Sequence, residues 1–358
     1  MPSEDLHFKK ILKDFKVKVD SEIRKQFDII VNENKDENPL VAESLEYSKH
    51  LILSGGKRLR GALLYYGYIG AGGKDKKSVL KAAAAAEIGH LFVLMHDDIV
   101  DHGTLRHNVE TLNKKYADPK YSKVNPIHFG NSMALIVGDM IYAIMNKIIL
   151  EAKFDQNSTI LGLIQLHKVS ITTAIGQIQD ISIGNKATVS SKEVLAMYEN
   201  KTAKYTFEGP LRIGMILAGC TDKKTLDEVT EYAIPIGISF QIQDDILGIF
   251  GNEERLGKST VSDIEEGKNT LIFVKALELS SPEQKKMLRT IFGKKNLSQK
   301  EISRFRKILT ETGALEYAKK ISRDHLNEGK KKITESSLSK QTKKVLSGLI
   351  QYLEKREL

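Results

Sequence analysis

Apolar residues recur three and four positions apart along most of the chain. The pattern begins with Phe8, Ile11, Leu12, Phe15, Val19, Ile23, Phe27 and Ile30, which would line one face of a helix over residues 5–31. Asn32 to Pro39 interrupts it, and a second helix is expected from about Leu40 to Leu53, ending in Ser54-Gly55-Gly56, where paired glycines fit a left-handed stop. After Lys57-Arg58-Leu59-Arg60, residues 61–71 are small and apolar, and Gly72-Gly73 marks a turn. Ser78 to His102 reads as a long helix whose Ala82 to Ala86 run permits close packing. The helical period continues over Asn131–Leu150, Ser158–Ile183, Ser190–Ala218 and Lys224–Phe250. Capping boxes are expected at Ser190-x-x-Glu193, Ser281-x-x-Gln284 and Ser298-x-x-Glu301, while Val261 to Asn269 reads as a charged loop. No stretch sustains period-two alternation. The expected fold is all-α, one domain over residues 1–358, a bundle of ten or more mostly antiparallel helices around a deep central cavity.

Two of these helices end in acid: His96-Asp97-Asp98-Ile99-Val100-Asp101 and Gln243-Asp244-Asp245. Asp97 and Asp101 stand one turn apart on one face, after an apolar run that should not end in a solvated patch. Carboxylates on an apolar wall need a cation, and hard oxygen donors without a cysteine cluster favour Mg²⁺, which takes one or two carboxylates plus waters and phosphate oxygens at ~2.1 Å.

The chain has 358 residues with a single cysteine, Cys220, which excludes an intrachain disulfide framework and a thiolate metal site. Its net charge of +9 is scattered along the helices with no Trp present, which argues against nucleic acid and leaves an anionic small substrate in view. Charges or glycines interrupt every apolar run short of the ~20 residues a membrane span needs. The N-terminus mixes Lys with acids and lacks the apolar core of a signal peptide, so a cytoplasmic location is expected. Cations near both acidic motifs, Lys57, Arg60, Arg106, Lys201, Lys258 and Lys268, make sense beside a diphosphate whose other oxygens face Mg²⁺.

These motifs together resemble the trans-isoprenyl diphosphate synthases of the short-chain, geranylgeranyl or farnesyl type. The resemblance runs in order through Gly55-Gly56-Lys57-Arg58-Leu59-Arg60, Asp97 to Asp101, Arg106, Gly176-Gln177-x-x-Asp180, Lys201-Thr202, Phe240-Gln241-Ile242-Gln243-Asp244-Asp245, Gly257-Lys258 and Asp263-x-x-x-Gly267-Lys268-x-Thr270. It implies head-to-tail condensation of isopentenyl diphosphate with an allylic diphosphate through an allylic carbocation. By the same resemblance Asp97, Asp101 and Asp244 hold three Mg²⁺ ions, with Asp98, Asp180, Asp245 and Asp263 as supporting acids. Arg106, Lys201, Gln241, Lys258 and Lys268 would bind the allylic diphosphate. Gly56, Lys57, Arg60, His90 and His107 would bind isopentenyl diphosphate, and the backbone oxygens near Lys201 and Thr202, with Phe240 and Gln241, would shield the carbocation from water.

Three departures stand out. His107 replaces a second Arg that usually follows Arg106, Gly248 replaces the last Asp of the second motif, and Gly61 stands where proline is usual. His96 is expected to donate to a carboxylate rather than to bind metal. Phe92, five residues before Asp97 and hence ~7.5 Å down a helix, would cap the growing chain beside the smaller Val93, a combination resembling the geranylgeranyl type. Farnesyl or longer products, and a non-catalytic regulatory subunit, are the alternatives. Members of the family usually form homodimers.

Overall fold

The computed structural model describes residues 4–36, 38–251 and 260–355. The described residues are almost entirely helical. In chain order, α1 is Glu4–Asn34, α2 Pro39–Leu53, α3 Leu59–Gly70 and α4 Lys76–Val100. A two-stranded hairpin follows, β1 Leu105–Arg106 paired antiparallel with β2 Val109–Glu110, then α5 Leu112–Tyr116, α6 Pro126–Leu150, α7 Gln156–Gly184 and α8 Ser191–Tyr198. Residues Glu199–Glu208 form a π-helical segment that runs on into α9 Gly209–Leu217. The rest is α10 Lys223–Phe250, α11 Ser262–Glu266, α12 Leu271–Leu279, α13 Pro282–Ile291, α14 Gln299–Glu311, α15 Ala314–Glu335 and α16 Lys340–Glu354.

Three expectations change. The acidic loop at 261–269 contains the short helix α11, which ends at Gly267 with φ of +71°. The hairpin is too short to show alternation, and its turn residues His107 and Asn108 both take positive φ, 52° and 62°, as a tight turn between twisted strands requires. Finally, α4 and α6 do reach the length and mean hydropathy of a membrane span. The apolar run of α4 is nevertheless a core stripe: Val79, Ala82 to Ala85 and Ile88 are fully buried.

The chain divides into two compact units. The first comprises Lys9–Ile164 with Pro210–Cys220. In it α4 packs on α3 and α6, and α3 packs on α9 through glycines: a Cβ at Gly67 would lie 2.5 Å from Leu211 O, and one at Gly214 2.0 Å from Leu64 O. Close backbone contact of this kind admits no side chain.

The second unit comprises residues up to Phe8, Gln165–Gly209 and residues 221–355. Here α10 packs on α15 and on the π segment, over a core that includes Ile242, Ile246, Phe273, Leu288, Phe305 and Ala318. The three expected capping boxes are present, at Ser190, Ser281 and Ser298. Each satisfies two backbone donors at the start of its helix.

Candidate active site

In the first unit, α4 carries the acidic motif at its C-terminal end. Asp97 and Asp101 are half-buried, while Asp98 is buried and turned away from them. Adjacent helical residues point ~100° apart, so the pair cannot share a face. Asp98 receives Arg106 Nη2 at 2.6 Å and Nε at 3.4 Å. Burial still raises its pKa, a cost that the Arg106 guanidinium only partly offsets. Arg106 reaches it because the hairpin folds back over the end of α4.

Around the other side of the hairpin lies a group of cations. His107 packs its ring on the glycine loop, so closely that a Cβ at Gly55 would lie 2.3 Å from it. His90 sits nearly two turns before Asp97 on α4, partly buried, with its pKa pushed well below the usual imidazole value. Burial is the largest cause, followed by Arg60, Arg106, Arg58 and His107. His107 is lowered by burial of its inner edge, then by Arg106, Arg58 and Lys16. Lys57 is exposed and Arg60 half-buried. Each of these neighbouring arginines, with His107, disfavours a positive charge on His90.

Arg58 is different in kind. It is buried, bonds Asp20 of α1 at 2.5 Å through Nε and donates to Ile52 O. Its backbone is left-handed, φ 56°. It ties α1 to the glycine loop.

His96 bonds Leu135 O at 3.2 Å and lies 3.6 Å from Asp139 Oδ1, both on α6. Its Nε2 is thus bonded to a backbone carbonyl, with the Asp139 carboxylate nearby but beyond hydrogen-bond distance, rather than donating to a carboxylate as expected. Phe92 is half-buried and Val93 lies beside it.

In the second unit the π segment is held between two helices by glycines. A Cβ at Gly176 of α7 would lie 2.3 Å from Lys201 N, and one at Gly237 of α10 would lie 2.5 Å from Ala203 Cα. Residues in π segments are displaced from the regular register, a feature often found at functional sites. Here the displaced residues are Lys201 and Thr202. Lys201 Nζ pairs with Asp180 Oδ2 at 2.6 Å, one turn beyond Gly176 on α7. Thr202 donates to Gln241 Oε1 at 2.7 Å, and Gln241 Nε2 donates to Asp245 Oδ1 at 2.8 Å. The other Asp245 oxygen accepts from Tyr198 OH, which itself accepts from Leu271 N at 2.8 Å.

Asp245 is buried, and its pKa is pushed up to about 7 by burial and then by Asp263. Asp244 is half-buried. The Asp263 carboxylate fills the place of a side chain at Gly248, for a Cβ there would meet its Oδ2 at 2.4 Å. Lys268 pairs with Glu266 at 3.0 Å. Lys258 and Gly257 lie outside the described residues. Tyr198 and the π segment were missed from sequence, and nothing in their residue types announces them.

Among the described residues, no three His, Cys, Asp or Glu side chains converge as a ready metal cage. The donor set nonetheless suits magnesium. Asp98 and Asp245 are bonded to protein partners, Asp97 and Asp101 are half-buried on α4 as Asp244 is on α10, and Mg²⁺ takes few carboxylates and fills its shell with water and phosphate oxygens.

An all-helical protein with half-buried carboxylates at the end of one helix, and arginines from the neighbouring segments gathered near His90 of that helix, belongs to a class suited to hold a polyanion. The sequence pattern of the polyprenyl synthetase family matches residues 41–309. The chain is 34% identical over 310 residues to a geranylgeranyl diphosphate synthase of Saccharolobus solfataricus, covering 86% of this chain and 88% of that one. It is 35% identical over 272 residues to a short chain isoprenyl diphosphate synthase of Methanocaldococcus jannaschii, covering 76% and 77%. A crystal structure of geranylgeranyl pyrophosphate synthase from Corynebacterium glutamicum, complexed with isoprenyl diphosphate and magnesium, is similar to this fold with a TM-score of 0.90, 27% identity and coverage of 97% and 99%. The chain belongs to the polyprenyl synthetase family: it is a prenyltransferase with the all-α isoprenoid synthase fold.

Proposed function

We propose that this prenyltransferase condenses isopentenyl diphosphate head-to-tail with allylic diphosphates and delivers geranylgeranyl diphosphate as its main product. The observation that supports this most is the crowd of cations around His90, on the same helix as Asp97 and Asp101. Two anionic substrates give such a crowd its use.

Magnesium held by Asp97, Asp101 and Asp244, three ions in our reading, would neutralise the charge that develops on the departing allylic diphosphate. Arg106, Lys201, Gln241, Lys258 and Lys268 would carry the rest of that charge, and Asp98, Asp180, Asp245 and Asp263 would keep these groups in place. Asp98 and Asp245 are suited to that supporting role by being buried and bonded. Gly56, Lys57, Arg60, His90 and His107 would hold isopentenyl diphosphate so that its double bond attacks the allylic carbon, with proton loss to the released diphosphate. Thr202 and Gln241, held in place by their mutual hydrogen bond, would help shield the carbocation from water.

The product length is assigned to Phe92, with Val93 beside it. We further propose a homodimer: α7 exposes Ile160, Ile164, Ile171, Ile175, Ile178 and Ile181, a row of isoleucines that a second copy would cover. The test is to incubate the pure protein with Mg²⁺, labelled isopentenyl diphosphate and each allylic primer, and size the products. Geranylgeranyl diphosphate as the main product supports the assignment; no condensation with any primer would refute it, and C15 or C25 and longer products would move it to the farnesyl or long-chain alternative.

A further inference from the structure

Helices α4 and α6 run antiparallel and meet in a ladder of three rungs. At the top, Gly138 lets the His96 ring lie on α6, for a Cβ at 138 would be 2.7 Å from His96 Nε2. At the bottom, Gly89 receives Met145, whose Sδ lies 2.1 Å from where a Cβ would be. Between them, one turn from each, Phe92 faces Tyr142 with ring centroids 5.1 Å apart and planes at 50°. The His96 ring also meets Phe92 edge-on, at 4.6 Å and 66°. His96 is fixed in turn by its bond to Leu135 O.

A side chain that stops a growing apolar chain has to resist displacement, because each added methylene gains by being buried. A lone phenylalanine on a helix would yield by rotating about χ1 and χ2. Phe92 is in contact with two rings, and the hold from α6 is an aromatic ring rather than a flexible chain. The rung below is a glycine facing a methionine, the most adaptable apolar side chain, so no rigid stop lies there.

We propose that Tyr142 is a specificity-determining residue of this enzyme: it braces Phe92 from α6, and the pair of rings rather than Phe92 alone sets the length of the product. The inference rests on the synthase reading above and adds to it a residue on a different helix. When Tyr142 is removed, Phe92 is expected to turn aside under the growing chain, and the product to lengthen by one or more isoprene units with Phe92 still present.

The experiment compares wild type, Phe92→Ala, Tyr142→Ala, Tyr142→Phe and Gly138→Ala, with products sized by mass spectrometry and the Michaelis constant for each substrate recorded. The expected result is a longer principal product for Phe92→Ala and Tyr142→Ala, wild-type length for Tyr142→Phe, which keeps the ring, and Michaelis constants for isopentenyl diphosphate within a fewfold of wild type. Gly138→Ala, which pushes the His96 ring off its seat, loosens the second ring contact of Phe92 and is expected to broaden the distribution; it serves as the second test should Tyr142→Ala not fold. The proposal is overturned if Phe92→Ala lengthens the product while Tyr142→Ala and Gly138→Ala, folded and active, leave it unchanged. Absence of condensation by the wild type with every primer would instead overturn the synthase reading itself.

Discussion

Replacing Gly61 by proline, the residue usual at this position in related synthases, is expected to destabilise this protein. Gly61 is the third residue of α3, within the first turn, where a backbone N–H has no partner in its own helix and proline is ordinarily tolerated. In this chain the N–H is used: it donates to Glu87 Oε1 of α4 at 2.7 Å, and Glu87 is 4% exposed. Proline removes the donor and leaves a buried carboxyl oxygen short of a partner, at about 1–3 kcal/mol. Its ring carbons also need room. A Cβ at 61 would lie 2.9 Å from Ala83 O and 3.1 Å from Glu87 Cγ, and forcing extra carbon into a packed contact costs ~1–3 kcal/mol. Restricting the unfolded chain offsets ~0.4–1 kcal/mol of this.

The balance is a loss of roughly 1–5 kcal/mol. It is measured by urea unfolding, with Gly61→Ala as the variant that adds the carbon and keeps the N–H, and with a double-mutant cycle against Glu87→Leu. If the hydrogen bond matters, Gly61→Pro is worse than Gly61→Ala, and the cycle shows a coupling of about 1–3 kcal/mol. A Gly61→Pro protein as stable as wild type, or a cycle with no coupling, would refute the reasoning. The same change disturbs the first turn next to Arg60, so affinity for isopentenyl diphosphate should fall with stability.

His107, held below the usual imidazole pKa by burial and by Arg106, Arg58 and Lys16, is neutral in the free enzyme near pH 7.5 and should take up a proton when a diphosphate binds. The Michaelis constant for isopentenyl diphosphate is therefore expected to rise between pH 6 and 8, and His107→Arg to flatten that rise and lower the constant; equal slopes for the two proteins would count against it. His90 is also depressed in the folded state, so the unfolded chain binds the extra proton and stability falls as pH drops below about 6.5. Thermal midpoints between pH 7.5 and 5 should fall less steeply for His90→Gln, and an unchanged slope would show that His90 is not the group responsible. Gly248→Ala places a methyl where the Asp263 carboxylate lies and should weaken Mn²⁺ binding, followed by electron paramagnetic resonance, by about tenfold; unaltered affinity would separate Asp263 from the metal.

The helices were legible because their faces are buried: Phe8, Phe15, Val19, Ile23, Phe27 and Ile30 recur at helical spacing, and all are in the core. Caps were legible because Ser190, Ser281 and Ser298 carry the chemistry of a helix start in their own residue types. The π segment was not, since Glu199 to Glu208 has the composition of an ordinary helix and takes its register from where Gly176 and Gly237 let two neighbours press in. Nor could sequence separate Arg58 from Lys57 and Arg60. Only packing shows that its guanidinium is spent on Asp20.

The two acidic motifs show the same division by different means, and this was half-written in their spelling. Neighbouring aspartates on a helix diverge by ~100°, so in each pair one must turn toward protein when the other faces a ligand. Asp98 meets the problem with opposite charge, the Arg106 guanidinium brought over by a hairpin whose turn is His107-Asn108. Asp245 meets it with neutral donors, Tyr198 and Gln241, while burial and then Asp263 push its pKa up to about 7. The consequence is a difference in how the two helix ends are fixed: one by a charge pair that lies beside the cations around His90, the other by a chain of hydrogen bonds running from Leu271 through Tyr198, Asp245 and Gln241 to Thr202 in the π segment. Substitutions at His107 therefore bear on Asp98 as well as on the anion, because the same turn delivers Arg106. Substitutions at Tyr198 bear on Thr202, because Asp245 and Gln241 link the two.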